Sequence, residues 1–172
     1  MANASFEKAM KLAVLSGLKV ALGPAFLMAS QRRPETSTWA AMALGEMVLD
    51  KVEILPSRSS LPLLIPRAIS GAWVARESMR ADGIDDPMAA VMGGAIAAGV
   101  STFAPMVRIA ASRILDVPDP VLGLLEDYLA LKLGTEAVGL SMDEVTQVAK
   151  HSVEDLTERV MPAIQSAGAG SM

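Results

Sequence analysis

The sequence predicts an all-α fold: a small polytopic helical membrane protein with about five core helices and a C-terminal amphipathic helix. Hydrophobic residues make up 52% of the 172 positions, the mean hydropathy is +0.40, and 20% of the residues are charged. Soluble domains average about 45–50% apolar and about 25% charged residues, so this composition favours a membrane protein. Ala, Gly, Met and Leu are abundant, which favours closely packed helices over sheets.

Composition also excludes several classes of protein. The chain has no Cys, which excludes disulfides and thiolate metal sites. Its net charge is −4, and no basic patch interleaved with aromatic residues is present, which argues against nucleic-acid binding. The N-terminal segment has no clean cleavage site after its apolar run, so it predicts a first helix rather than a signal peptide.

The first helix is predicted from about Ser5 to Ser30. Residues 12–31 carry a single charge, Lys19, and are numerous enough to cross a bilayer of ~30 Å at ~1.5 Å per residue. Gly23-Pro24 predicts a kink or break inside this helix, where backbone groups lose their helical partners.

A second helix is predicted from Thr36 to Val52, with Glu46 and Asp50 four residues apart on one face. Residues 56–66 are rich in turn residues and helix breakers, which predicts a connector. Three further helices follow, and the second of them contains the only uncharged run longer than 18 residues. These helices are predicted at Leu63–Met79, Pro87–Ile114 and Pro120–Leu133.

The chain changes character after residue 135, so we predict a membrane domain over 1–135 and a polar amphipathic helix with a flexible tail over 136–172. Ser141 and Glu144 have the spacing of a capping box, which predicts a helix start. Apolar residues then recur at helical spacing between charges, and the helix is expected to end between Pro162 and Gln165.

Helices 1–2 and 4–5 have nearly matching spacings of Gly, Pro, Ser and Glu, which predicts an internal repeat. One helix separates the copies, so they would have opposite orientations, as in inverted-repeat transporters. Broken helices at Gly23-Pro24 and at Pro105 would then be equivalent. The aligned positions are Gly17, Pro24, Ala29-Ser30, Glu46 and Lys51 with Gly99, Pro105, Ala111-Ser112, Glu126 and Lys132.

The segment GEMVLDKVEILPSRSSLPLLIPRAISGA resembles the pattern G-E-x-x-x-D-K-x-x-x-x-P-S-R, then R-x-x-S-G-A, of the bacterial membrane proteins grouped as domain of unknown function 4126. GLKVALGPAFLMAS resembles the first helix of that family, where the basic position occupied here by Lys19 is usually Arg. LLEDYLALKLG resembles its closing helix. The resemblance covers about Leu15 to Gly134 and implies a membrane protein without an assigned activity.

Eight charged residues form the predicted binding site or pathway. They interrupt strongly apolar segments, where a charge is costly unless it is paired. Lys19 is expected to lie deepest and to pair with Glu46 or Glu126. The alternative is a set of structural ion pairs that hold short helices together. The residues are Lys19, Glu46, Asp50, Lys51, Arg58, Arg67, Glu126 and Asp127.

The sequence favours a protein that is not an enzyme. The only His, His151, lies in the polar tail, and Ser57 and Ser70 have no nearby His to activate them. We therefore expect no catalytic residues, no metal and no cofactor.

Three functional hypotheses remain. The first is a small transporter or channel of the bacterial inner membrane, and the second is a non-catalytic structural or accessory membrane subunit of a larger complex. The third is a soluble all-α protein, because only one segment is clearly long enough to span. The expected partners are the lipid bilayer and either further copies of the chain or other membrane subunits, with association through Ser70, Gly71, Gly93, Gly94 and Ala98.

Overall fold

The computed structural model describes residues 2–49 and 61–169, with side chains in the second range for 64–155, 157 and 158. Within these residues the protein has seven helices and no strand, which confirms the all-α class. The helices are α1 (Ala2–Leu18), α2 (Leu22–Ser30), α3 (Thr36–Leu49), α4 (Leu61–Ala81), α5 (Pro87–Leu115), α6 (Asp119–Val138) and α7 (Met142–Ala169).

α1 and α2 form a re-entrant hairpin: the chain folds back on itself between them. A Cβ on Gly23 would lie 2.5 Å from the carbonyl oxygen of Leu12 and 2.2 Å from Oγ of Ser16. In a continuous helix Leu12 and Gly23 would be ~16 Å apart along the axis. The start of α2 therefore packs directly against α1, and only a residue without a side chain fits at this contact.

The predicted interruption of the first helix is confirmed, although it lies before Gly23-Pro24. The helix stops after Leu18 and restarts at Leu22, so Pro24 occupies the first turn of α2. Proline is tolerated there because the first backbone N–H groups of a helix have no intrahelical acceptor. Lys19, Val20 and Ala21 join the two helices, and we call them the hairpin apex.

Small residues pack α4 against α5 within the chain. A Cβ on Gly71 would lie 2.7 Å from the carbonyl oxygen of Gly93, and one on Gly93 would lie 2.5 Å from that of Gly71. A Cβ on Gly94 would lie 3.2 Å from the carbonyl oxygen of Ala68. These glycines therefore pack two helices of one chain together, and association between chains through them stays a prediction.

The structure does not support an inverted repeat. α5 continues through Pro105 without a break, contrary to the prediction. α1 and α5 also run in the same direction, since Ala9 and Ala89 share one core cluster while Gly17 lies against Ala97 further along both helices. α4 is antiparallel to both.

α6 extends five residues beyond its predicted end at Leu133. Gly134 does not terminate the helix, because it gives the room that the Phe26 ring needs: a Cβ there would lie 2.2 Å from Cε2. The helix ends instead at Gly139, which has a φ of +70°. Such a left-handed conformation after the last helical residue is a common helix end and suits glycine.

The capping box at the start of α7 is confirmed. The Ser141 N–H donates to Glu144 Oε2 at 2.7 Å, and the Glu144 N–H donates to Ser141 Oγ at 3.2 Å. The helix continues to Ala169, beyond the predicted end. Its apolar side packs on the core formed by α2 and α3, with Val145 in contact with that core.

On α5 the packing places small residues inside and large apolar residues outside, whereas large apolar side chains of α1 and α2 fill the core. On α5 the buried residues Ala89, Gly93, Ala97 and Ser101 recur every four positions. On its other faces, large side chains such as Phe103 and Val107 are 65% and 66% exposed. α4 repeats the arrangement, with Arg67 and Ser70 buried while Ile65, Ile69 and Trp73 are exposed.

Among the described residues, α5 is the one helix long and apolar enough to cross a membrane. A core helix of a soluble protein can pass the same test, but such a helix is mostly buried. Only 17% of the most apolar window of α5 is buried.

Candidate polar site at the hairpin apex

Among the residues that the structure describes, Lys19, at the hairpin apex, has the largest fully buried side chain, with 1% of its surface exposed. Its Nζ lies 3.1 Å from Oδ1 of Asp127, on α6, whose side chain is also buried. The sequence predicts Glu46 or Glu126 as the partner of Lys19. The observed partner is instead Asp127, the residue that follows Glu126 on α6. Successive helical residues point ~100° apart, and the sequence could not show which of the two neighbours faces inward.

Glu46, on α3, binds the backbone of the apex instead. Its Oε1 accepts the Val20 N–H at 3.0 Å, and its Oε2 accepts the Ala21 N–H at 2.8 Å. Both N–H groups lie where the helical hydrogen-bond pattern is interrupted, so one carboxylate satisfies two donors that would otherwise be buried without acceptors.

The helix ends explain the signs of these two charges. α1 ends at the apex, where its C-terminal carbonyls carry partial negative charge, and the Lys19 ammonium follows directly. α2 begins at the apex, where its N-terminal N–H groups carry partial positive charge, and the Glu46 carboxylate binds there. The anion therefore lies at the helix end that stabilises it, and the residue that carries the cation directly follows the end of α1.

Hydrogen bonds that involve serine hydroxyls connect α4 to the hairpin apex and α5 to α4. The Ser70 hydroxyl donates to the Val20 carbonyl at 2.6 Å and lies 3.2 Å from Oγ of Ser16. Arg67, one turn earlier on α4 and buried, donates from Nη1 to Oγ of Ser101 at 3.1 Å. Five helices, α1 and α3 to α6, therefore contribute polar groups around the apex, and none of the three serines was among the predicted site residues.

The apex lies at the middle of the candidate spanning helix. Gly17, two residues before Lys19, contacts Ala97 of α5. Ser101, which binds Arg67, is the central residue of the 29-residue α5, with ~21 Å of helix on each side. The buried charges are therefore about equally distant from both ends of that helix.

Arg108 and Glu126 form a second charged group beside the apex. Arg108 Nε donates to Asp119 Oδ1 at 2.7 Å, and Nη1 lies 3.7 Å from Glu126 Oε2. The guanidinium lies over Gly123, where a Cβ would be 3.1 Å from Nη2. Gly123 thus makes room for the arginine between α5 and α6.

A groove of about 370 Å³ runs between α5 and α6 next to this group. Arg108 and Glu126 are its charged lining residues, and its other walls are aliphatic. Leu18 and Ala130 also line it, so the groove reaches the neighbourhood of the apex from the side of the molecule.

The predicted site residues divide into three groups. Lys19, Glu46, Arg67 and Asp127 lie around the apex, whereas Glu126 is one position away on α6 and faces Arg108. Asp50, Lys51 and Arg58 lie outside the described residues. Ser16, Ser70, Ser101 and Arg108 were not predicted as site residues from the sequence, although the spacing of Ala89, Gly93, Ala97 and Ser101 on one face could have indicated Ser101.

Within the part of the chain that the structure describes, no group of three or more His, Cys, Asp or Glu side chains is arranged to hold a metal ion. Comparisons with protein families, with curated proteins and with solved structures find no match for the chain. Membership of domain of unknown function 4126 stays a prediction.

Proposed function

We propose that this protein is a small multi-pass protein of the bacterial inner membrane and that it acts as a transporter or channel. The hairpin apex is the polar site through which a solute or ion passes. The observation that carries this proposal is a buried, charged helix break at mid-depth of a molecule in which α4 and α5 expose large apolar side chains.

The distribution of side chains supports the membrane location. A soluble protein buries its large apolar side chains and exposes its charges. Here α5 buries small residues and exposes Val, Met, Phe and Ile side chains, and α4 exposes Ile65, Ile69 and Trp73 although it also buries Val74 and Met79. Contiguous apolar surfaces of this kind mark contact with lipid or with other proteins.

The apex supports a transport role. In hydrocarbon, interrupted helices occur only where the freed backbone groups are satisfied by protein or line a cavity, and discontinuous helices at mid-membrane form the ion and substrate sites of many transporters. Ionisable residues at that depth are rare and are usually functional. The groove between α5 and α6 provides a lateral approach toward this level.

The first test is membrane insertion. A bacterial host expressing the protein should retain it in membranes washed with alkaline carbonate or with urea, and release it only into detergent. Recovery in the wash would identify a soluble or peripheral protein and would refute the proposal at its first step.

The second test is flux through liposomes that contain the purified protein. A panel of monovalent cations, protons and small anions should include at least one that crosses faster than in empty liposomes. Glu46→Gln should abolish that flux, because the glutamine amide is neutral and has one oxygen, whereas the Glu46 carboxylate accepts one apex N–H on each of its two oxygens. Glu35→Gln, at an exposed acidic residue, is the matched control and should keep it.

The alternative is a non-catalytic structural or accessory membrane subunit. The observation that favours it is the close pairing at the apex, where Glu46 uses both oxygens on backbone N–H groups and Lys19 contacts Asp127. Wild-type protein that inserts but conducts none of the panel would favour this function. Copurification of a stoichiometric partner after mild cross-linking would then identify the complex, whereas a homo-oligomer would argue for independent action.

A further inference from the structure

Basic side chains gather at the end of the molecule where α1 begins, which we call the α1 end. Lys8 Nζ lies 2.7 Å from Oδ1 of Asp82, in the loop between α4 and α5. In the same loop, Asp85 contacts both Arg76 and Arg80. Three helix ends, the start of α1, the end of α4 and the start of α5, therefore meet at one polar surface.

The hairpin brings two more arginines to this surface. α2 returns from the apex, so the turn after it, with Arg32 and Arg33, lies beside α4. Arg33 Nη2 is 3.4 Å from Oε1 of Glu77, which is one turn from the end of α4. A straight helix from Ser5 to Ser30 would instead have put these arginines at the opposite end from Lys8.

The opposite end, where α6 begins and which we call the α6 end, holds fewer basic groups among the described residues. Arg113 lies in the last turn of α5, and Arg108 is two turns from Ser101 in the same direction. Lys51 and Arg58 lie outside the described residues. The α1 end holds six basic residues, Lys8, Lys11, Arg32, Arg33, Arg76 and Arg80, against Arg108 and Arg113 toward the α6 end, while Lys132 and Lys150 lie within α6 and α7.

The two tryptophans mark the boundary of the apolar surface at the α1 end. Trp39 and Trp73 stack with ring centroids 6.0 Å apart and planes 21° from parallel. Trp73 is partly exposed and lies one turn before Arg76 and Glu77. Tryptophan is enriched at the level of lipid headgroups, so this pair is placed where apolar faces give way to charges.

We propose that the α1 end is the cytoplasmic face of the protein, set against the anionic headgroups of the inner leaflet. The N-terminus and the turns after α2, α4 and α6 then lie in the cytoplasm, and the loop between α5 and α6 lies outside. Lys and Arg in short loops determine orientation, whereas Asp and Glu contribute little, so the acidic partners of these residues do not cancel the bias. The inference rests on the proposed membrane location.

The absence of native Cys allows a direct test by single-cysteine labelling. Ala81→Cys places a thiol at an exposed position of the α1 end, and Pro118→Cys places one at an exposed position of the α6 end. In spheroplasts, a membrane-impermeant maleimide should label Pro118→Cys and leave Ala81→Cys unmodified. Both variants should react after lysis.

The possible outcomes distinguish the proposed membrane function from the proposed orientation. Protein absent from washed membranes would refute the proposed membrane function, whereas membrane-bound protein with Ala81→Cys labelled from outside would overturn the orientation alone. Equal labelling of both positions in spheroplasts would indicate mixed orientations and would also overturn it.

Neutralising selected charges tests whether the basic residues of the α1 end cause this orientation. Four basic residues changed to Gln should raise outside labelling of Ala81→Cys at least several-fold, and neutralising four acidic residues of the same end should not. Unchanged labelling in the basic variant would refute the role of these charges. The basic set is Lys8, Lys11, Arg32 and Arg33, and the acidic control set is Glu7, Glu35, Asp82 and Asp85.

Discussion

The re-entrant hairpin can be tested by adding one methyl group at Gly23. In Gly23→Ala the new Cβ would lie 2.5 Å from the Leu12 carbonyl oxygen and 2.2 Å from Ser16 Oγ, about 1 Å inside normal contact. The serine can rotate, but the carbonyl belongs to the backbone of α1. Relief therefore requires α2 to move away from α1, which lengthens the contacts of Glu46 with the apex.

The size of the effect follows from two opposing terms. Overfilling a tight contact costs about 1–3 kcal/mol. Alanine favours a helix over glycine by up to ~1 kcal/mol. Because the obstacle is backbone, we expect the first term to prevail and Gly23→Ala to lose ~1–2 kcal/mol of unfolding free energy.

Gly99→Ala is the matched control. Gly99 lies inside α5 with no atom within 4 Å of the added Cβ, so this variant should gain ~0.5–1 kcal/mol. Both can be measured as SDS-induced unfolding from mild detergent micelles, followed by far-UV circular dichroism. A Gly23→Ala protein that is as stable as wild type, beside a stabilised Gly99→Ala, would refute the hairpin.

Three further predictions concern other contacts. Lys19→Met alone should lower the free energy of unfolding by ~3–5 kcal/mol, because it leaves the Asp127 carboxylate buried without this cation. In a double-mutant cycle, the variant that combines Lys19→Met with Asp127→Leu should recover part of that loss. A double variant whose loss equals the sum of the losses in Lys19→Met and Asp127→Leu would show that the two residues are not coupled. Gly71→Ala should lower the SDS-unfolding midpoint more than Gly94→Ala, because only the first meets a backbone atom nearer than 3 Å; the reverse order would contradict the α4–α5 contact. At the start of α7, the backbone N–H and hydroxyl of Ser141 lower the pKa of Glu144, so this cap stabilises the helix above the ordinary glutamate pKa and is lost as the pH falls through the lowered value. The protection of the first-turn amides of α7 against hydrogen exchange, relative to their intrinsic exchange rates at each pH, should fall at acid pH in wild type but depend less on pH in Ser141→Ala, and equal pH dependence would rule the cap out.

Much of the fold follows from local sequence signals. The capping box predicted the start of α7 because Ser141 and Glu144 satisfy each other's N–H groups without help from the rest of the chain. The Gly23-Pro24 pair predicted an interruption because neither residue favours a helix interior. Such signals are local, so one sequence suffices to find them.

Relations between distant segments could not be predicted in the same way. Gly23-Pro24 is equally compatible with a kink and with a reversal, and the choice depends on Glu46 and Asp127, which lie on other helices. At Pro105 the sequence predicted a break in the helix, but α5 continues through this residue. Because the spacing of Gly and Pro was nearly the same in the two segments, spacing alone predicted an equivalence that packing does not produce.

The buried charges are best understood as the groups that select the hairpin over its nearest competitor. A continuous helix over Ser5–Ser30 would satisfy its backbone internally and would be long enough to span a membrane. In that helix, however, Lys19 would lie at mid-membrane with the Val20 and Ala21 N–H groups already used, so Glu46 would have no backbone donors to bind. In the hairpin the same residues gain Asp127 as a partner for Lys19 and two N–H groups for Glu46. Apolar residues at these positions would pack in either arrangement, whereas the charges are compensated in only one. Specificity for the broken helix and a polar group at mid-depth therefore arise from the same side chains, and this links the folding of the hairpin to the function proposed for its apex.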